Sequence, residues 1–132
     1  MSSVIMILSI GTDIIEVYRI RETIERTPRF LERVYTPAEK EYCEAKGAAK
    51  FQSYAGKFAA KEAFLKALGT GWRGKLSWQE IEILNNDEGM PYFCLSGEAA
   101  KHVDAMNGDN IHLTISHTTE HATSTVVIEK NT

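Results

Sequence analysis

The chain has 132 residues, 43% hydrophobic and 25% charged, the balance of one ordinary globular domain with a real core. A formal net charge of −3 gives no general attraction to nucleic acid, and two cysteines are too few for a disulfide framework. No apolar run reaches bilayer-spanning length, and the apolar segment from Val4 to Ile10 lacks the basic flank and small-residue cleavage site of a signal peptide. A single cytoplasmic domain over residues 1–132 is therefore expected, with neither a nucleic-acid nor a membrane partner. Cys43 and Cys94 are expected as buried or half-buried thiols in a reducing compartment.

In chain order, Val4 to Ile10 reads as a short strand, ended by a loop at Gly11-Thr12-Asp13. Val17, Ile20 and Ile24 form the apolar face of a helix from Glu16 to about Thr27, and Phe30, Leu31 and Val34 suggest a further helical turn. Arg19, Arg21, Arg26, Arg29 and Arg33 cluster in this region, either as a docking patch for an acidic partner or as a solvated face. Thr36-Pro37-Ala38-Glu39 has a hydroxyl cap, proline at the first helical position and a glutamate placed for a capping box. The helix it opens should stop near Gly47. A long helix follows from Phe51 to Leu68, terminated by Gly69-Thr70-Gly71. Ser77 to Leu84 and Pro91 to Leu95 read as a hairpin around Asn85 to Gly89. Ser96 can cap a helix from Gly97 to about Met106. Ile111 to Ser116 alternates cleanly, and Ala122 to Ile128 is the last strand. The fold class is α+β, helices packed on a mostly antiparallel sheet.

On a helical wheel the long helix gathers Phe51, Ala55, Phe58 and Leu65 into one stripe, and Glu62 falls within it. A carboxylate on a core-facing line is costly unless paired, protonated or bound to a cation. Lys66 lies one turn on from Glu62, and Lys61 one turn on from Lys57. An i,i+4 ion pair on a wet helix face is the bland reading. Asp13 favours the other, because two carboxylates suit a magnesium ion that takes its remaining ligands from water and phosphate. Lysines beside them then suit phosphate. Ser116-His117 ends a strand where a hydroxyl, an imidazole and free backbone donors can meet a phosphate. His102, His112 and His121 read as structural.

These segments resemble the holo-acyl-carrier-protein synthases, the small bacterial 4′-phosphopantetheinyl transferase family. They are Ile10-Gly11-Thr12-Asp13-Ile14, Phe58-Ala59-Ala60-Lys61-Glu62-Ala63 with Lys66, Asp87-Glu88-Gly89-Met90-Pro91 and Ile115-Ser116-His117-Thr118. The likeness runs from about Met6 to Lys130, which leaves Met1 to Ile5 as a possible N-terminal extension. It implies transfer of 4′-phosphopantetheine from coenzyme A to a serine of apo-acyl carrier protein, releasing adenosine 3′,5′-bisphosphate, within fatty acid biosynthesis. It makes Asp13 and Glu62 magnesium ligands, puts Lys66 on the pyrophosphate with Lys61 near it, and assigns Ser116 and His117 to the coenzyme A site. Gly89 and Pro91 flank the adenosine end, and Arg19 grips the acidic carrier protein with Arg26, Arg29 and Arg33 in support. The resemblance also implies a homotrimer with active sites between subunits, in which His117 serves a neighbour. Lys57 stands where arginine is frequent in the family, which keeps the charge of a phosphate contact and loses the bidentate fork. No buried base stands out, and the proton acceptor stays open between a water on the cation and one of the two carboxylates. A non-catalytic module binding nucleotide or coenzyme A is the rival reading; it has no need of Asp13 and Glu62.

Overall fold

The molecule is organised around one helix that is buried on nearly every side. The computed structural model describes residues 4–69 and 76–131. Strand β1 (Ile5–Glu16) leads into helices α1 (Val17–Arg26), α2 (Phe30–Val34) and α3 (Pro37–Glu44). A 3-10 turn at Gly47–Ala49 precedes α4 (Lys50–Leu68). After a second 3-10 turn at Trp78–Glu80 come β2 (Ile81–Asn85), β3 (Pro91–Leu95), α5 (Gly97–Ala105), β4 (Asn110–His117) and β5 (His121–Asn131). One antiparallel sheet has the order β1-β5-β4, and β2-β3 is a separate antiparallel hairpin. Helices packed on antiparallel sheet is the expected class.

Within α4 only Lys66 is exposed. The narrow apolar stripe drawn on the wheel is therefore too simple. Ala63, Phe64 and Ala67 face a core with Val126, Ile128 and Ile81, while Tyr54 and Ala55 face a second core with Val17, Ile20, Tyr35 and Ala122. Such a helix needs small residues where other backbone comes close. Gly56 meets Ile115 of β4, since a Cβ there would lie 2.8 Å from its Cγ2.

The first loop expected at Gly11-Thr12-Asp13 is instead continuous strand. β1 stays in register with β5 from Ser9↔Ile128 to Glu16↔His121, so Asp13 faces Ser124 across a ladder. Gly11 owes its identity to packing, because a Cβ there would stand 2.0 Å from the Ala63 carbonyl oxygen. A glycine that lets a helix approach a strand looks in sequence like a glycine in a turn.

The capping box at Thr36 and Glu39 is present, and Gly69 closes α4 in the left-handed region at φ 76°. The Thr70 and Gly71 parts of that expected stop lie outside the described residues. The strand expected from Ser77 begins only at Ile81, because Ser77 turns the chain by accepting from Gln79 N. Ser96 occupies the cap position of α5 without a side-chain bond; the Glu80 carboxylate accepts from Ala99 N instead. Cys43 is buried as expected, whereas Cys94 is exposed on β3.

Strand alternation gives the large sheet two unlike faces. Ser9, Gly11, Asp13, Ile115, His117 and Ser124 lie on the face toward α4. Ile10, Thr12, Ile14, Thr114, Ser116 and Thr125 lie on the outer face. Ile10 and Ile14 there are 60% and 68% exposed.

Candidate active site

Asp13 on β1 and Glu62 and Lys66 on α4 come together where the helix crosses the strand. Lys66 Nζ donates to Asp13 Oδ1 at 3.0 Å. Both carboxylates are half-buried. Burial first, then the charge of Asp13, pushes the Glu62 carboxyl above the usual carboxylate range, and Lys66 opposes the shift. Among the described residues Glu62 accepts no hydrogen bond. Two crowded carboxylates, one without a donor, form a hard-oxygen pair suited to a divalent cation. Among the described residues no third His, Cys, Asp or Glu joins them, so such an ion would take its other ligands from water or substrate.

A second feature lies toward the start of α4. A cleft of about 380 Å³ is lined by Gly56 and Lys57 of the helix, Asn85, Gly89 and Pro91 of the hairpin, and Ile115 and His117 of β4. Tyr42, Lys46, Ala49, Gln52 and Ser53 complete it. Four of the residues picked out in sequence, Lys57, Gly89, Pro91 and His117, thus share one concave surface. Gly89 holds φ 86°, a left-handed turn position that favours glycine. Tyr42, Lys46 and Asn85 escaped the sequence reading. They sit in different elements, and Asn85 looked like an ordinary turn residue.

Other sequence candidates lie elsewhere. Lys61 is fully buried, with Nζ 2.9 Å from Glu39 Oε1 and 3.0 Å from the Trp78 carbonyl oxygen. It reaches neither Asp13 nor the cleft lining, so its ammonium holds α4 to α3 and to the turn before β2. Lys57 lines the cleft but is itself buried, donating to the Ile83 carbonyl at 2.9 Å and to Asn85 Oδ1 at 2.7 Å. Ser116 points to the outer face of the sheet and does not line the cleft. Arg19, Arg26, Arg29 and Arg33 are exposed along α1 and α2. Arg19 is held by Glu16 Oε1 at 2.9 Å and lies over the Tyr18 ring.

Residues 9–124 match the model of the 4′-phosphopantetheinyl transferase superfamily. The chain belongs to that superfamily. It is 44% identical to the holo-[acyl-carrier-protein] synthase of Koribacter versatilis over 125 residues, covering 94% of this chain and 99% of that protein. Identity to the enzyme of the same name from Ruminiclostridium cellulolyticum is 47% over 124 residues, 93% of this chain and 92% of that one. The Bacillus anthracis holo-(acyl-carrier-protein) synthase, solved in complex with CoA (3′,5′-ADP), superposes with a TM-score of 0.78 at 38% identity, covering 95% of this chain and 98% of that one. The Helicobacter pylori enzyme in complex with coenzyme A gives 0.78 at 36% identity, over 90% and 98%. The chain is thus a phosphopantetheinyl transferase with the fold of these synthases.

Proposed function

We propose that the chain moves 4′-phosphopantetheine from coenzyme A to a serine of apo-acyl carrier protein as a magnesium-dependent enzyme centred on Asp13, Glu62 and Lys66. Transfer to the carrier protein follows from the family and from relatives of that activity spanning nearly the whole chain. The observation that carries the assignment of the centre is Glu62, a half-buried carboxylate beside a second carboxylate and without a donor among the described residues. A magnesium ion held by Asp13 and Glu62 would neutralise diphosphate charge.

The residues divide the work. The exposed ammonium of Lys66, paired with Asp13, meets the diphosphate. The cleft bearing Gly89, Pro91 and His117 takes the adenosine end of coenzyme A, with Lys57 in its wall. The serine oxygen forms a bond to the β-phosphorus as the bond to the bridging oxygen breaks, its proton passes to water or to one of the two carboxylates, and adenosine 3′,5′-bisphosphate leaves. The carrier protein docks on Arg19, Arg26, Arg29 and Arg33, which present exposed positive charge on one stretch of helices.

The working unit in this proposal is a homotrimer in the cytoplasm. Two observations support the assembly. The outer sheet face exposes Ile10 and Ile14 beside Thr12 and Thr125. The cleft and the acid pair are also separate on one protomer, and neighbouring copies would bring them together with His117 and Ser116 at the join. The free thiols Cys43 and Cys94 accord with a reducing compartment.

Mass spectrometry of apo-acyl carrier protein after incubation with the protein, coenzyme A and magnesium tests the reading. A phosphopantetheine gain is expected, lost with EDTA and reduced about 100-fold or more in rate by Glu62→Gln. Binding of coenzyme A without any gain on several carrier proteins would favour a binding module.

A further inference from the structure

Lys57 stands where a phosphate ligand is expected, yet its ammonium is already engaged. Its Nζ donates to the Ile83 carbonyl at 2.9 Å and to Asn85 Oδ1 at 2.7 Å, and lies 4.5 Å from the centre of the Tyr42 ring. Two of its three N–H donors are thereby used, and the side chain is 2% exposed. Because Asn85 Oδ1 accepts from Lys57, the amide has a fixed orientation, and Nδ2 donates to the Gly89 carbonyl at 3.1 Å. Asn85 ends β2 opposite Pro91, and the following turn is closed by its own bonds. Asn86 N donates to Met90 O at 3.0 Å, and Asn86 Oδ1 accepts from Glu88 N and Met90 N, both at 2.9 Å. The turn is a stiff unit whose residues Asn86 to Met90 are all exposed. A strut from α4 through Lys57 and Asn85 ties it to the body of the protein, and Gly89 and Pro91 of that unit form a cleft wall.

We propose that Lys57 and Asn85 are positioning residues, which set the Gly89–Pro91 wall at the distance from α4 that coenzyme A requires. This rests on the coenzyme A reading given above. Lysine suits the role: a compact ammonium reaches one backbone and one side-chain oxygen from inside the fold, where a guanidinium would need more room. Burial also holds the Lys57 ammonium below the ordinary lysine range, so removing an acceptor weakens the whole arrangement.

Steady-state kinetics with coenzyme A and with 3′-dephospho-coenzyme A separates this role from a direct phosphate grip. Lys57→Met removes the donors, and Asn85→Asp keeps an acceptor for Lys57 while losing the donor to Gly89. Each variant is expected to raise KM for coenzyme A about 5- to 20-fold with kcat within about twofold. The ratio should be the same for the dephosphorylated substrate. The double variant should be little worse than the poorer single one, since both cut one strut. Lys57→Arg, which retains donors, should recover part of the loss. A Lys57→Met penalty that vanishes with 3′-dephospho-coenzyme A, or an Asn85→Asp variant with wild-type KM, would overturn the proposal. Amide hydrogen exchange reads the strut without turnover: faster exchange at Glu88 to Met90 in both variants supports it, and unchanged exchange contradicts it. Wild-type protein that transfers nothing would defeat the functional reading instead, and the exchange data would still judge the strut. Should Lys57→Met fail to fold, Asn85→Asp carries the test alone.

Discussion

Helix α4 carries Lys61 and Glu62 side by side, and the two neighbourhoods differ in burial and in whether the carboxylate is satisfied. Around Lys61, Glu39 is saturated: Oε1 takes the lysine ammonium and Thr36 N, and Oε2 takes Ile83 N at 2.8 Å. That cluster is fully buried and joins α3, α4 and β2. One residue on, about 100° round the helix, Glu62 is half-buried beside Asp13 with no donor from the described residues. A closed charge cluster stabilises a geometry, whereas an open pair of like charges is electrostatic strain that a cation can relieve. Similar residue types are thus closed into a buried cluster on one face of α4 and left open on the next.

The closed side should break hardest. Lys61→Met leaves the buried Glu39 charge without its cation and is expected to cost about 3–5 kcal/mol in urea unfolding. Adding Glu39→Gln, which removes the orphaned charge, should recover part of that loss. Equal stability of the single variant and the wild type would show that the cluster is not closed as described.

A smaller effect belongs to the same core at high pH. Burial, the leading cause, pushes the Cys43 thiol from 9.0 to about 11. Its folded value lies above its unfolded one, so its contribution is complete below pH 9 and fades as pH rises through 11. Between those limits the wild type should lose on the order of 2 kcal/mol more than Cys43→Ala. Unfolding curves of both proteins across that range measure the difference directly, and parallel pH profiles would contradict it.

Much of this contrast was visible in the sequence, and the missing part has a physical cause. Helix α3 declared itself through Thr36, Pro37 and Glu39, because capping is local chemistry. Asp13, Glu62 and Lys66 were legible because a carboxylate among apolar helix residues demands an explanation. The burial of Lys61 against Glu39 was not legible because that partner lies 22 residues upstream. No periodicity in α4 points to that contact. Gly11 misled for a related reason: a close approach to Ala63 and Ala67 leaves the same residue in the sequence as a turn does. The cleft was half legible, since Gly89 and Pro91 mark their turn while Tyr42 and Asn85 reach it only through the fold.

In the proposed centre Glu62 stands ready for a cation at some cost to the fold. Thermal melting of wild type and Glu62→Gln at neutral pH, in EDTA and in magnesium, tests it most directly. The strained carboxylate predicts that Glu62→Gln melts higher than wild type in EDTA. Magnesium should then raise the wild-type Tm and leave the variant unchanged. A variant that melts lower in EDTA and responds to magnesium as the wild type does would contradict the claim.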